Sequence, residues 1–154
     1  MNNINTAEQG FFAIQSAIER LGGRNIIARK EGSRRFFTFT SPDGNTYKIT
    51  TRAKRSGTWQ TSITYGKPRK ENLLEKEYWV FVDLAFDPPK FYPVPLWWIE
   101  NNIYEVHQEY LKRNQGHRPR NDDSNHHGIP LKRIEQWKDA WAALGFTNEN
   151  IKDG

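Results

Sequence analysis

The chain has 154 residues, among them six Trp, six Tyr, nine Phe and no cysteine, with 23 Lys and Arg against 18 Asp and Glu for a formal net charge of +5 at pH 7. That length fits one domain over 1–154, able to bury about two-thirds of its unfolded surface, so a core of few but bulky side chains is expected to fold without staples. The lack of cysteine excludes a disulfide framework, a thiolate metal site and a cysteine nucleophile, and no stretch approaches the roughly 20 apolar residues of a membrane span, so a cytoplasmic protein with no membrane partner is expected.

In chain order, Thr6-Ala7-Glu8-Gln9 has the spelling of a capping box, and Phe11, Ile14, Ile18 and Leu21 follow at three- and four-residue steps. This predicts a helix over 6–21, stopped by Gly22-Gly23. Short runs at 25–28, 35–40, 47–51, 60–64, 78–84 and 90–94 read as strands. The sequence Ser41-Pro42-Asp43-Gly44-Asn45 has the chemistry of a tight turn, which makes 35–51 an antiparallel hairpin. The polar segment 66–76 is expected to be mobile.

Pro95 opens a second helical pattern on Ile99, Ile103, Val106 and Tyr110. The stretch 114–128 carries no apolar residue and reads as a polar loop. After Pro130, Ile134, Trp137, Trp141 and Leu144 fall on one face of a last helix ending at Gly145, with 146–154 a tail and 6–145 the core. A helix, a strand meander and two more helices predict an α+β (mixed α/β) domain, its central mixed sheet containing an antiparallel hairpin and flanked by helices.

The excess charge is clustered. Arg24, Arg29, Lys30, Arg34, Arg35, Lys48, Arg52, Lys54, Arg55, Lys67, Arg69 and Lys70 all lie in the first half, while acids gather at 71–87 and in the helical tail. Such clustering favours a polyanion partner. Arg52, Lys54, Arg55, Trp59, Gln60 and Tyr65 interleave cations with aromatics, the mixture that neutralises phosphates and stacks on exposed bases. The bland reading of the same residues is a solvated strand edge with Trp59 in the core.

The run Tyr47-Lys48-Ile49-Thr50-Thr51-Arg52-Ala53-Lys54-Arg55-Ser56-Gly57-Thr58-Trp59-Gln60 resembles the third strand of the PD-(D/E)XK, or restriction-endonuclease-like, superfamily. The strings 78–84, 91–95, 124–129 and 137–144 continue the likeness, which spans about 6–145, and Glu8 matches the acid found near the start of the family's first helix. The resemblance implies a central sheet flanked by helices, with a groove at the end of the hairpin. In an active member, an Asp on the second strand and a Glu or Asp on the third hold a divalent cation, and a Lys orients the attacking water. Here the second acid position falls on Thr50, the Lys position on Arg52, and 35–40 offers no Asp. A guanidinium stays protonated and is no substitute for that Lys.

A shifted register spells Pro42-Asp43 and Arg52-Ala53-Lys54, giving a candidate catalytic set of Glu8, Asp43 and Lys54 with Mg2+ as cofactor. Even so, a cation would stand where the second carboxylate belongs. His107, His117, His126 and His127 have no spacing that enforces zinc geometry, so no metal ligand is assigned, and His126 or His127 is expected to cap the groove near a phosphate. No Gly-rich phosphate loop, dinucleotide fingerprint or nucleophile elbow is present.

The expectation is therefore a pseudo-nuclease, without cofactor, that binds nucleic acid, DNA ahead of RNA, through Arg52, Lys54, Arg55, Trp59, Gln60, Tyr65, His126 and His127. The alternatives are a divergent Mg2+-dependent endonuclease and a phage or mobile-element module that inhibits a protein partner. A homodimer stays open.

Overall fold

A computed structural model describes residues 5–32, 34–114 and 125–153. The first helix, α1 (Thr6–Arg20), is capped one residue earlier than its spelling suggests: Asn5 is extended and its side chain accepts from the Glu8 N–H at 2.8 Å. Asn5, not Thr6, is the cap, since a short amide oxygen satisfies a first-turn donor as well as a hydroxyl does. The helix ends at Gly22, whose φ of 106° suits glycine.

The strands β1 (Arg24–Glu31) and β2 (Arg34–Thr40) are antiparallel, with Glu31 opposite Arg34. β1 therefore runs through Arg29, Lys30 and Glu31, past the expected end of the strand. It is an edge strand, exposed at every position except the half-buried Ile26, so it has no buried side to write an alternation into the sequence. The turn at Ser41–Asn45, closed by Ser41 N–H to Asn45 O and Gly44 N–H to Ser41 O, leads into β3 (Thr46–Lys54), antiparallel to β2. Next comes β4 (Trp59–Ser62), which leaves the sheet, followed by a 3-10 turn at Ile63–Tyr65. The chain re-enters at β5 (Glu77–Asp83), parallel to β3, and finishes the sheet with β6 (Lys90–Pro95), antiparallel to β5. The order is β1-β2-β3-β5-β6.

Period-two alternation divides the sheet between two cores. Tyr47 and Ile49 of β3 and Tyr78, Val80 and Val82 of β5 meet Phe11, Ile14 and Ile18 of α1. On the other face Trp79 and Phe81 meet Ile99 and Ile103 of α2 (Leu96–Arg113), with Trp59 and Tyr92. α1 rests tightly on the sheet at Gly10, where a Cβ would run into that of Ala53.

The segment 66–76, expected to be mobile, is tied down. Arg69 is hydrogen-bonded to Glu100 and lies 3.6 Å from Glu75, its N–H donates to Asn101 at 2.9 Å, and the Trp97 N–H donates to Glu75 at 3.0 Å. Gly66 lies so close to α2 that a Cβ would stand 2.9 Å from the Tyr104 nitrogen.

Two further expectations are corrected. The end of the polar stretch is a strand, β7 (His126–Ile129), antiparallel to β4 in a separate two-stranded sheet; residues 115–124, with His117, lie outside the described residues. The last helix is broken into α3 (Leu131–Ile134) and 3-10 turns at Glu135–Trp137 and Trp141–Leu144, with Asp139 at a φ of 53°. Helical spacing misleads here because the four apolar residues serve different cores: Ile134 and Trp137 pack with α2, Trp141 and Leu144 with α1. One straight helix cannot face both sides of a sheet, so the chain turns at Asp139, whose N–H donates to Phe91 O at 2.9 Å. The expected tail contains α4 (Asn148–Asp153), with Ile151 against the first core.

Candidate nucleic-acid interface

The outward row of β3 consists of Lys48, Thr50, Arg52 and Lys54, and each of its cations lies against an aromatic ring. Lys48 Nζ is 4.7 Å from the centre of Phe36, the Arg52 guanidinium 4.5 Å from Trp79 and 5.6 Å from Tyr65, and Lys54 Nζ 4.7 Å from Trp59. Phe36 is half-buried on β2, Trp79 is buried on β5, and Tyr65 meets Trp79 edge-on at 5.0 Å. Burial holds Arg52 below the ordinary arginine value, and its Nε is buried without a hydrogen-bond partner.

Where β3 outruns β2, a cleft of about 150 Å³ opens between the start of α1 and the end of β3, lined by Ala7, Arg35, Thr51, Arg52, Ala53 and Gln60. Gln60 is exposed and donates to Thr58 O and Oγ1; Arg55, in the turn between β3 and β4, is exposed as well. The first turn of α1 adds the positive end of its dipole to this corner.

The candidate catalytic set does not converge. Glu8 sits at the cleft but is 3.4 Å from Arg35 and 3.9 Å from Lys30. Asp43 lies in the turn before β3, accepting from Asn45 N–H and Tyr47 Oη at 2.8 Å each. Lys54 is the last residue of β3, and a nine-residue strand at about 3.3 Å per residue puts these two on the order of 25 Å apart. Lys54 is instead 3.0 Å from Asp83 across the β3–β5 pair. Among the described residues no group of three or more His, Asp or Glu is placed to hold a metal ion.

The predicted nucleic-acid set divides. Arg55 and Gln60 are exposed, and Arg52 and Tyr65 are half-buried at the same corner. Trp59 is wholly buried, with its indole N–H donating to Val82 O at 3.0 Å, so it is a core residue and not a stacking platform. Lys54 is held in its ion pair with Asp83, which already satisfies the charge that a phosphate would need.

His126 and His127 are carried beside β4 by β7, opposite Ser62 and Thr61. They line a second cavity of about 190 Å³ with His107, Tyr110 and Arg113. His127 Nε2 is 2.9 Å from Arg133 Nη1, which fixes Nε2 as the acceptor, and Arg133 also donates to Asn102 at 2.6 and 2.9 Å. Burial lowers Arg133 to about 10. This cavity is built on α2, apart from the residues lining the β3 cleft. Arg35 carries no local signal as a site residue, because only the β2–β3 register brings it beside the end of β3; Phe36 and Lys48 are legible as cross-strand neighbours once the hairpin is drawn.

The class that these elements define is an α+β protein with a five-stranded mixed sheet, and no described helix is long and apolar enough to cross a membrane. No family model, no curated protein and no solved structure matches this chain.

Proposed function

We propose that this chain is a nucleic-acid-binding protein on a restriction-endonuclease-like framework, with a degenerate metal site, and that it binds without cleaving. The order of helix, strand and hairpin and the helices on both faces of a mixed sheet support the framework. The observation that carries the functional reading is the corner at the end of β3, where Arg35, Arg52 and Gln60 line a cleft while Thr50 and Arg52 occupy the acid and lysine positions. A divalent cation needs converging carboxylate oxygens, and the two acids near this corner are already engaged, Glu8 with Arg35 and Lys30 and Asp83 with Lys54. A phosphate needs what the corner has beyond its paired charges: the guanidinium groups of Arg52, whose Nε has no hydrogen-bond partner, and of the exposed Arg55, with the N-terminus of a helix.

The test is a titration against single- and double-stranded DNA and RNA, at two salt concentrations, with and without magnesium or manganese. Binding that weakens steeply with salt, without cleavage, is expected. The variant Arg55→Glu with Gln60→Glu, which reverses one charge and adds a second acid, should bind more weakly and show a shallower salt slope, by about one unit for each phosphate no longer engaged. Metal-dependent cleavage would overturn the non-cleaving reading, and no binding at all would point to a protein partner.

A further inference from the structure

The two faces of the β1–β2–β3 meander are treated unequally. α1 covers one, whereas α2 lies over β5 and β6 and leaves the outward face of the meander open. Its side chains follow from the register. Ile27 is opposite Thr38, Arg29 opposite Phe36, and Phe36 opposite Thr50, while Lys48 is opposite Thr38. Ile27 is 51% exposed, Arg29 exposed, and Phe36, Thr38, Lys48 and Thr50 half-buried. Arg34 and Arg52 end the same face; Glu31 and Glu77 are its acids, at the margins beside Arg34 and Lys48. Cations thus flank an aromatic ring on a face that also carries Thr38 and Thr50 and runs on to the β3 corner through Arg52.

We infer that this open face is a binding platform for single-stranded nucleic acid, in which a base stacks on Phe36 while Arg29 and Lys48 take the flanking phosphates. The inference rests on the nucleic-acid reading above and deepens it. Charge complementarity selects a polyanion over a second copy of the chain, because two such faces would set arginine and lysine rows against each other. A single strand is selected over a duplex because only unpaired bases offer a ring to Phe36, and stacking on an aromatic serves any base. In the free protein Lys48 Nζ lies 4.7 Å over the Phe36 ring. Drawing that ammonium off to a phosphate uncovers the ring, exchanging a cation–π contact for a charge-assisted hydrogen bond and a stacked base.

Fluorescence anisotropy with labelled oligo-dT and oligo-U, and with a duplex, tests this on the full chain. The single strands should bind more tightly than the duplex. Phe36→Leu should weaken single-strand binding about tenfold and leave the duplex unchanged, while Arg29→Gln with Lys48→Gln should weaken it and flatten its salt slope. Unchanged melting temperatures separate these effects from unfolding, and the glutamine pair is surface-borne in case Phe36→Leu fails to fold. Single-strand affinity that ignores all three substitutions but falls with Arg55→Glu would overturn the platform and leave the corner standing. Binding to neither strand form would overturn both.

Discussion

Lys54 Nζ lies 3.0 Å from Asp83 Oδ2, joining the ends of the two parallel strands at the centre of the sheet, with both side chains nearly withdrawn from water. Asp83 also accepts from the Ala85 N–H at 3.0 Å, so its carboxylate holds the turn after β5 as well as the lysine. Removing one member of such a pair strands a buried charge. Lys54→Met or Asp83→Leu alone should therefore cost about 3–5 kcal/mol, and the double variant less than the sum of the two. Urea denaturation checks the cycle; simple additivity would show that the two groups do not interact. Because Lys54 is committed to Asp83, a folded Lys54→Met variant should keep the wild-type salt slope for nucleic acid.

Gly10 sits where α1 rests on the sheet, and a methyl group there would collide with Ala53 and stand 3.0 Å from Val82 Cγ1. Helix propensity alone favours Gly10→Ala by about 1 kcal/mol. Overpacking opposes it by about 1–3 kcal/mol, since backbone and short side chains cannot swing aside. The variant should be destabilised, and because the helix start frames the cleft it should also bind nucleic acid less well. A melting temperature at or above wild type would show that α1 has room to rise.

Asp43 predicts an acid transition. Burial raises its carboxyl, but hydrogen bonds from Asn45 and Tyr47 outweigh that and hold it below the ordinary 3.8. The unfolded chain then takes up the proton more readily than the folded one, so this contribution is complete above about pH 4 and lost as pH falls through the lower folded value. The melting-temperature gap between wild type and Asp43→Asn should close in that range. A gap that stays constant down to about pH 2 would mean that the carboxylate charge contributes nothing to the turn.

The sequence by itself determined the elements whose signals are local. The apolar stripe of α1 and the Pro-Asp-Gly turn each depend on residues within a few positions of one another, and α2 was legible in the same way. It also supplied the alternation that puts Lys48, Thr50, Arg52 and Lys54 on one face of β3. It could not show that β1 extends through charged residues, because an edge strand buries too little to leave a pattern.

Only the tertiary structure decided which side chains meet. It placed Trp59 in the core and Lys54 against Asp83, and it set Asp43 at the opposite end of β3 from the lysine with which it spells the motif. It broke the Ile134, Trp137, Trp141 and Leu144 stripe because those residues pack on opposite faces of one sheet. It also brought Arg35 to the end of β3 and left the far face of the meander uncovered. Each of these depends on strand register and layer order, which are set by long-range packing and not by the spacing of neighbours along the chain.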